Sequence, residues 1–307
     1  MDIGVLTVKG PDYHPNQRLK AAARDKGLSL CLIDPRRISP AIEDGQLSIR
    51  GFDNNAMPGV ILPRQGSQIS NSSLVVLAHL QAMNIPLVNN VQSILAARNK
   101  FLTLGILSAA GIKVPTSAFV NSNEEFLSTI DSMGGYPVVC KKTIGRKGRE
   151  VFLVEGKTQA LNIIEKHLLP AEGLLLQQFI PPQGRRDFRV IVIGGKLAAA
   201  MEMISPKGDF RSNFSISGKS NRVHLSPEAE RMAIKSALAV GLDIAGVDLM
   251  ISDKSGLVAV ETNYAPGFRG LEAATGIDIA AMIIEYATLL KDKQRQDFPG
   301  KQCASGT

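Results

Sequence analysis

The sequence predicts an α/β protein with a small parallel-sheet domain at the N-terminus, followed by lobes of mixed α+β character. Three observations carry that prediction. The 307 residues suit two or three fused lobes better than one compact core. Residues 1 to about 92 alternate short apolar runs with helical patterns, the rhythm of strand–helix–strand units that build a parallel sheet with helices on both faces. From about residue 173 the rhythm changes and strands dominate, with Gly194-Gly195 between two apolar runs as a hairpin turn.

In order, the apolar run Ile3–Val8 predicts the first strand, Pro15–Lys26 a helix and Leu28–Asp34 a second strand. Val60–Leu62 and Pro86–Asn89 read as further strands; between them Ser70–Met83 reads as a helix, opened by the capping residues Ser70 and Asn71. One helix is predicted over Ser93–Ala110, with Ser93 as cap and Gly111 as stop. Residues 117–170 repeat the alternation: a strand, a helix over Asn123–Met133, a strand over Pro137–Lys142, a glycine-rich turn, a strand over Glu150–Val154 and a helix over Lys157–Leu168. Gly134-Gly135-Tyr136-Pro137 marks the turn before the central strand. Strands follow at Leu174–Gln178, Asp187–Ile193, Lys196–Ile204, Gly246–Ser252 and Leu257–Glu261, with a helix over Glu228–Val240 and a last one over Asp278–Leu290. Residues after Lys291 turn polar and predict a frayed tail.

Hydrophobic content of 44% and charged content of 21% are those of a globular chain. No apolar run reaches the roughly 18–20 residues of a membrane helix, and Met1–Gly10 reads as a strand and not as a signal peptide. Cys31, Cys140 and Cys303 are widely separated and form no Cys-x-x-Cys pair, which disfavours a zinc or redox motif and predicts reduced thiols in a cytoplasm. The net charge of +7 suits an acidic ligand or nucleotide. Nucleic acid is disfavoured, because tryptophan is absent, tyrosines number four and the basic residues are scattered.

The sharpest chemical cluster lies near the C-terminus. Asp248 interrupts the apolar run Gly246–Ile251, and Glu261 and Asn263 end the run beginning at Val258. A short turn, Asp253–Gly256, makes the two runs an antiparallel hairpin that brings Asp248 beside Glu261 and Asn263, which share one strand face. Two carboxylates and an amide oxygen on one face predict a hard cation; magnesium binds through one or two carboxylates plus substrate phosphates. Lys141 ends a buried-looking strand ahead of the glycine-bearing turn Gly145-Arg146-Lys147-Gly148, a loop able to lay backbone N–H groups over phosphates, and Lys100 sits early in a helix. In Gly208–Phe214, Arg211 is placed to neutralise charge on a transferring phosphoryl group and Asn213 to bind a phosphate or substrate oxygen. Gly156-Lys157-Thr158 is no Walker A loop, since position 151 is Val151 and not glycine. No dinucleotide fingerprint follows the first strand, and His14, His79, His167 and His224 have no ligand spacing.

Together these residues resemble the ATP-grasp superfamily, and within it the RimK-like enzymes that modify a ribosomal protein and their glutamate-ligase relatives. The resemblance spans residues 1–290 and rests on ordered motifs: Leu62-Pro63-Arg64 with Gly66; Asn99-Lys100 ahead of Gly111-Ile112-Lys113-Val114-Pro115; Pro137 to Lys141 with Gly145 and Gly148; Leu176-Gln177-Gln178-Phe179-Ile180; Asp187-Phe188-Arg189; Gly208 to Asn213; and Glu261-Thr262-Asn263 with Pro266-Gly267. It implies an ATP-grasp fold with a pre-ATP-grasp domain at 1–92, a central lobe at 93–175, a C-terminal lobe at 176–292 and a polar tail at 293–307. It further implies that Lys100 and Lys141 contact nucleotide phosphates, that Gln177, Gln178, Phe179 and Ile180 hold adenine through backbone groups, and that Asp187 faces the nucleotide. Gln178 stands where the family often has a carboxylate. Arg211 and Asn213 would meet the phosphates, with Arg211 and Lys141 as the catalytic pair, and Asp248, Glu261 and Asn263 would hold magnesium, with manganese as the alternative ion.

The implied reaction joins a small-molecule or peptide carboxylate to an amino acid, glutamate being one such amine, through an acyl phosphate. Enzymes of this resemblance are often homo-oligomers. Three departures surround the acceptor: the loop 142–148 is far more basic than the family's, the segment after Asn213 lacks His-Arg-Gly-Gly, and Arg269 replaces an apolar residue. Arg64, Lys219 and Arg269 are therefore the candidate substrate contacts, the last two suited to the carboxylates of an acidic amino acid or peptide. Two other readings use much of the same machinery: a catalytically silent nucleotide-binding regulator and an ATP-dependent small-molecule kinase.

Overall fold

The computed structural model describes residues 1–52, 57–66, 69–145, 150–204 and 220–297. The described residues divide into two compact units, one formed by those of 1–65, 69–91 and 278–297, the other by Gly66 and those of 92–277. Among the described residues no single helix is long and apolar enough to cross a membrane.

The first unit holds a parallel sheet in the order β2 (Leu30–Ile33), β1 (Ile3–Leu6), β5 (Val60–Pro63). Every residue of β1 and β5 is buried, so both read as continuous apolar runs. The predicted strand at Pro86–Asn89 shrinks to a single parallel bridge between Leu87 and Ile61. Helix α1 (His14–Asp25) starts with Pro15 in its first turn, where a missing N–H is harmless, and buries Leu19, Ala22 and Ala23.

A further hairpin, outside the predicted elements, joins β3 (Ser39–Glu43) to β4 (Gln46–Arg50). Its signal was present: Asp44-Gly45 takes φ of 50° and 75°, the two-residue turn that Asp-Gly favours. Helix α2 (Asn71–Ala82) is capped as expected, with the Ser70 side chain accepting from the Ser73 N–H.

The last helix, labelled α9 (Ile279–Asp297), runs past the predicted end at Leu290 and through the start of the expected frayed tail. Lys291 explains the extension. Its stem lies against Gly59, where an added Cβ would come within 2.7 Å of the lysine Cδ, and its Nζ reaches Asp2 at 3.0 Å. α9 also packs on α1 and β5, so the end of the described chain belongs to the same unit as its beginning.

In the second unit the helix predicted over Ser93–Ala110 is two helices, α3 (Val91–Arg98) and α4 (Lys100–Ala109). Asn99 breaks it: its side chain accepts from the N–H groups of Phe101 and Leu102 at 3.0 and 3.2 Å, so it caps a new helix and does not continue the old one. Thr103 ties the break together, its single hydroxyl proton shared between the carbonyls of Ala96 and Asn99, each 3.0 Å away. Gly111, at φ 71°, stops α4 as predicted.

The alternation at 117–178 forms an antiparallel sheet in the order β6 (Ser117–Val120), β9 (Leu174–Gln178), β7 (Val138–Lys142), β8 (Val151–Val154). Helices α5 (Asn123–Ser132) and α6 (Lys157–His167) cover one face, around Phe126, Ile130, Cys140, Ile163, Leu174 and Leu176. Cys140 is packing here, and desolvation pushes its thiol up to about 12. Because side chains alternate, Lys141 and Gln177 point away from that core.

The larger sheet is antiparallel in the order β12 (Ser220–Arg222), β11 (Lys196–Met203), β10 (Arg186–Ile193), β13 (Ile244–Ser252), β14 (Gly256–Asn263). The expected turn at Gly194-Gly195 joins β10 to β11, with both φ values positive. Helix α7 (Pro227–Ala239), capped by Ser226, packs on β13 and β14. A short helix, α8 (Arg269–Thr275), which the pattern reading did not separate from the loop, ends at Gly276 with φ 70°. The 113–116 connector ties the two sheets together: the Lys113 carbonyl accepts from Ala259 N–H at 2.9 Å and the Thr116 carbonyl from Gln178 N–H at 2.8 Å.

Candidate functional site

The site is built from one face of the larger sheet and one end of the smaller. In the β10–β13–β14 register, Arg189 lies opposite Asp248 and Asp248 opposite Glu261, with Gly246 opposite Asn263. Period-two alternation therefore sets Arg189, Asp248, Glu261 and Asn263 on one face. Gly246 leaves the space beside Asn263 that the chain needs, because a Cβ there would stand 2.6 Å from the Pro266 Cβ. The hairpin brings together the three oxygen-bearing residues that the sequence singled out.

It also adds a residue for which the sequence suggested no role. Arg189 grips Asp248 with both arms of its guanidinium, Nε donating to Oδ1 at 2.7 Å and Nη2 to Oδ2 at 2.5 Å. Two side chains largely removed from water, opposite in charge and in direct register, form one unit. The available signal was Arg189's position two residues from Asp187 on a strand, which puts both on the same face.

Lysines complete the cluster. Capping by Asn99 makes Lys100 the first residue of α4, whose backbone N–H donates to the Thr143 carbonyl at 2.9 Å, beyond the end of β7. Lys100 Nζ stands 3.4 Å from Glu261 Oε1 and donates to the Gly145 carbonyl at 3.1 Å. Lys141 Nζ donates to Gln177 Oε1 at 2.6 Å. Among the described side chains, three cations (Lys100, Lys141, Arg189) face two carboxylates (Asp248, Glu261), which leaves the cluster positive. Desolvation lowers Lys141 to about 8, against the opposing pull of Glu261. Burial alone would raise Glu261, but the combined field of Lys100, Lys141 and Arg189 holds it below its ordinary value. Burial raises Asp248 in spite of Arg189.

At the hinge between the sheets, Gln177 is buried in the interior strand β9, paired with Ser117 of β6 and Val139 of β7, and its side chain is engaged by Lys141 and by Ser117. Gln178 is exposed, Phe179 half-buried and Ile180 buried. Arg185 binds this hinge from the other side, donating to the Ile180 carbonyl at 2.6 Å and to the Asp187 carboxylate at 3.1 Å. Asp187 is thus buried against a guanidinium. A cavity of about 470 Å³ opens at the hinge, lined by Gln178, Phe179, Ile180 and Pro181 with the 113–116 connector and the turn of the β13–β14 hairpin.

Of the candidate substrate contacts, Arg64 is buried at the end of β5 in the first unit and Arg269 is exposed at the start of α8. Arg211, Asn213 and Lys219 lie outside the described residues, as do Arg146 to Gly148 of the glycine-bearing turn.

Both Asp248 oxygens accept from Arg189 and the cluster is net positive, so the residues present fit a divalent ion that arrives with phosphates and not a bare one. Among the described residues no group of three His, Cys, Asp or Glu side chains is placed to hold a metal. The donor set is two facing carboxylates and one amide, the kind of partial set that magnesium completes with substrate phosphates and water.

The family described as the RimK-like ATP-grasp domain matches residues 97–287, and that described as the RimK PreATP-grasp domain matches residues 1–94. A protein of Aliivibrio salmonicida named "Probable alpha-L-glutamate ligase" is 35% identical over 288 residues, covering 93% of this chain and 95% of its own length. Among solved structures, a RimK-domain ATP-grasp protein from Sphaerobacter thermophilus superposes with a TM-score of 0.74 at 23% identity, covering 94% of this chain and 99% of that one. The ATP-grasp ligase PsnB, complexed with a minimal precursor, Mg and ADP, superposes with a TM-score of 0.70 at 20% identity over 94% of this chain and 96% of that one. Both structural likenesses are likenesses of fold.

Proposed function

This chain belongs to the RimK-like ATP-grasp family, whose members are ATP-dependent ligases that form carbon–nitrogen bonds, and on that premise we propose that it couples an amino acid, glutamate foremost, to the carboxylate of a peptide, protein or small metabolite. The observation that carries this reading is the face shared by Asp248, Glu261 and Asn263, flanked by the ammonium groups of Lys100 and Lys141. Cations beside oxygen donors suit a metal–nucleotide complex, and the glutamate-ligase relative supports the choice of amine.

The chemistry assigns the residues their work. The γ-phosphoryl group of ATP passes to a substrate carboxylate oxygen, giving an acyl phosphate and ADP. The amine then attacks the carbonyl carbon, phosphate leaves with the electron pair of the C–O bond, and the amine releases a proton. Asp248, Glu261 and Asn263 would hold Mg²⁺, with Mn²⁺ as a second ion to test, and the bound ion supplies charge neutralisation at the phosphates. Lys100 and Lys141 would bind phosphate oxygens, with Arg211 and Asn213 completing that shell. The backbone of Gln177 to Ile180 would hold adenine; the cavity beside this hinge is lined by Gln178 to Pro181 but by none of Lys100, Lys141, Asp248, Glu261 or Asn263, so that assignment does not rest on it. Arg64, Lys219 and Arg269 remain the proposed substrate contacts. The free thiols of Cys31 and Cys140 agree with a cytoplasmic setting.

The lowered Lys141 predicts a pH limb. The charged ammonium is the form that binds phosphate, and a lysine near its usual value of about 10.4 keeps that charge well beyond pH 9. Lys141 loses it near pH 8. kcat/KM for ATP should therefore fall as pH rises through about 8, because that parameter reports the free enzyme. Lys141→Arg should carry the plateau to higher pH. A wild-type profile level to pH 10 would contradict the assignment.

The test of the function is ADP release from purified protein with magnesium and ATP, screened over amino acids and candidate carboxylates, with Asp248→Ala as control. Acceptor-dependent release, absent from the control, supports ligation, and mass spectrometry of the product identifies the amide. ADP release with phosphorylated product and no amine consumed would establish the kinase reading, and ATP binding without turnover in any mixture the silent regulator.

A further inference from the structure

Lys100 and Lys141 both lie in the field of Glu261 but differ in the group that each directly touches. Lys100 faces a carboxylate, Glu261, at 3.4 Å, so part of its charge is spent inside the protein. Lys141 is held by an uncharged oxygen at 2.6 Å. The register accounts for that contact. Lys141 of β7 lies opposite Leu175 of β9, and Gln177 is the next β9 residue on the same face, a diagonal neighbour within reach of a long side chain.

Gln177 is itself fixed. It lies opposite Ser117 of β6, and its Nε2 donates to Ser117 Oγ at 3.0 Å. The Ser117 hydroxyl spends its proton on the Pro115 carbonyl at 2.8 Å. That settles the sense of the chain. With its proton committed, Ser117 offers only lone pairs to position 177, so the side chain there must turn an N–H toward Ser117 and its oxygen toward Lys141. An amide satisfies both ends. A carboxylate would set an oxygen against the lone pairs of Ser117 and would neutralise the ammonium.

We propose that the Gln177 side chain, oriented by Ser117, is the positioning residue for Lys141, an uncharged acceptor that fixes the ammonium in place for nucleotide phosphate without adding a neutralising charge beside it. The proposal rests on the reading of Lys141 as a phosphate contact and adds a side-chain role to a residue otherwise assigned to adenine through its backbone. It makes amide against carboxylate at position 177 a determinant of nucleotide affinity.

The test is calorimetric binding of Mg·ADP to the full chain, which needs no acceptor and so separates this proposal from the identity of the ligated substrates. Wild type, Gln177→Glu, Gln177→Met, Lys141→Met and the Gln177→Glu/Lys141→Met double variant are compared, each with its melting temperature. Gln177→Glu should weaken binding by about tenfold or more, the scale of one charge-assisted contact, with the melting temperature held or raised by the new ion pair. Gln177→Met, which frees the ammonium without neutralising it, should weaken binding by roughly threefold to tenfold. In the Lys141→Met background, Gln177→Glu should add no further loss, since its effect passes through the lysine. Unchanged affinity in both Gln177 variants overturns the proposal, and so does an equal loss from Gln177→Glu with and without Lys141. Should Gln177→Glu fail to fold, Gln177→Met and Ser117→Ala decide: both must weaken binding in the presence of Lys141 and neither in its absence. If Lys141→Met itself binds Mg·ADP like wild type, it is the phosphate reading of Lys141 that fails, and this proposal with it.

Discussion

Glu261→Gln should lower kcat/KM by roughly a thousandfold, the scale of losing a charge that acts on phosphoryl groups in a site shielded from water, while the protein still binds nucleotide. The substitution keeps the shape of the side chain and removes one negative charge from a cluster that already carries three cations against two carboxylates. The two halves of the expected result move in opposite directions for a physical reason. A more positive cluster attracts the phosphates of metal-free ADP at least as well as wild type, whereas a metal held between Asp248 and Glu261 loses a ligand. The measurements are steady-state turnover over a magnesium titration and calorimetry with ADP in the presence of a chelator. Turnover within a few-fold of wild type at every magnesium concentration would remove Glu261 from the metal site. A parallel loss of turnover and of metal-free ADP affinity would point to a damaged fold.

Arg189→Met should destabilise the protein by about 3–5 kcal/mol, because it leaves the buried Asp248 carboxylate without its bidentate partner. Burial raises Asp248, and the guanidinium is what opposes that rise. Without it the acid should take up a proton and lose its value as a ligand, so activity should fall along with stability. The double variant Arg189→Met/Asp248→Leu separates the two effects. Replacing both partners by apolar groups is often neutral for stability, so urea denaturation should place the double variant within about 1–2 kcal/mol of wild type, yet it should remain inactive. If Arg189→Met denatures like wild type, the pair contributes little to the fold. If the double variant is as unstable as the single one, the loss comes from packing and not from an orphaned charge.

The candidate site was legible in the sequence to an uneven degree. Asp248, Glu261 and Asn263 stood out because acids and amides interrupt apolar strands, and a short turn between two such strands makes an antiparallel hairpin whose facing residues follow from alternation. Lys141 stood out at the end of an apolar run. Arg189 was in view but had no assigned role, since its partner lies 59 residues away and their pairing depends on the order of strands in the sheet. Asn99 falls inside the predicted helix Ser93–Ala110, where nothing in the local pattern marks a break. Its choice to cap a new helix depends on α4 docking its first N–H against the Thr143 carbonyl, a contact no local pattern contains.

By itself, the sequence determined the features that nearest neighbours along the chain control. The apolar runs of β1, β5, β7 and β9, the hairpin at Gly194-Gly195, the stop of α4 at Gly111 and the shared face of Glu261 and Asn263 all follow from side-chain alternation and from backbone angles that few residues adopt. Tertiary structure alone decided the rest: the antiparallel order β6–β9–β7–β8, the joining of α9 to the first unit through Lys291 and Asp2, the clasp of Arg189 on Asp248, and the chain of hydrogen bonds from Lys141 through Gln177 to Ser117. The physical reason is common to all four. Each is a choice among partners distant in sequence, made by whichever burial leaves the fewest charges and hydrogen-bonding groups unsatisfied, and that comparison exists only once the strands have been set side by side.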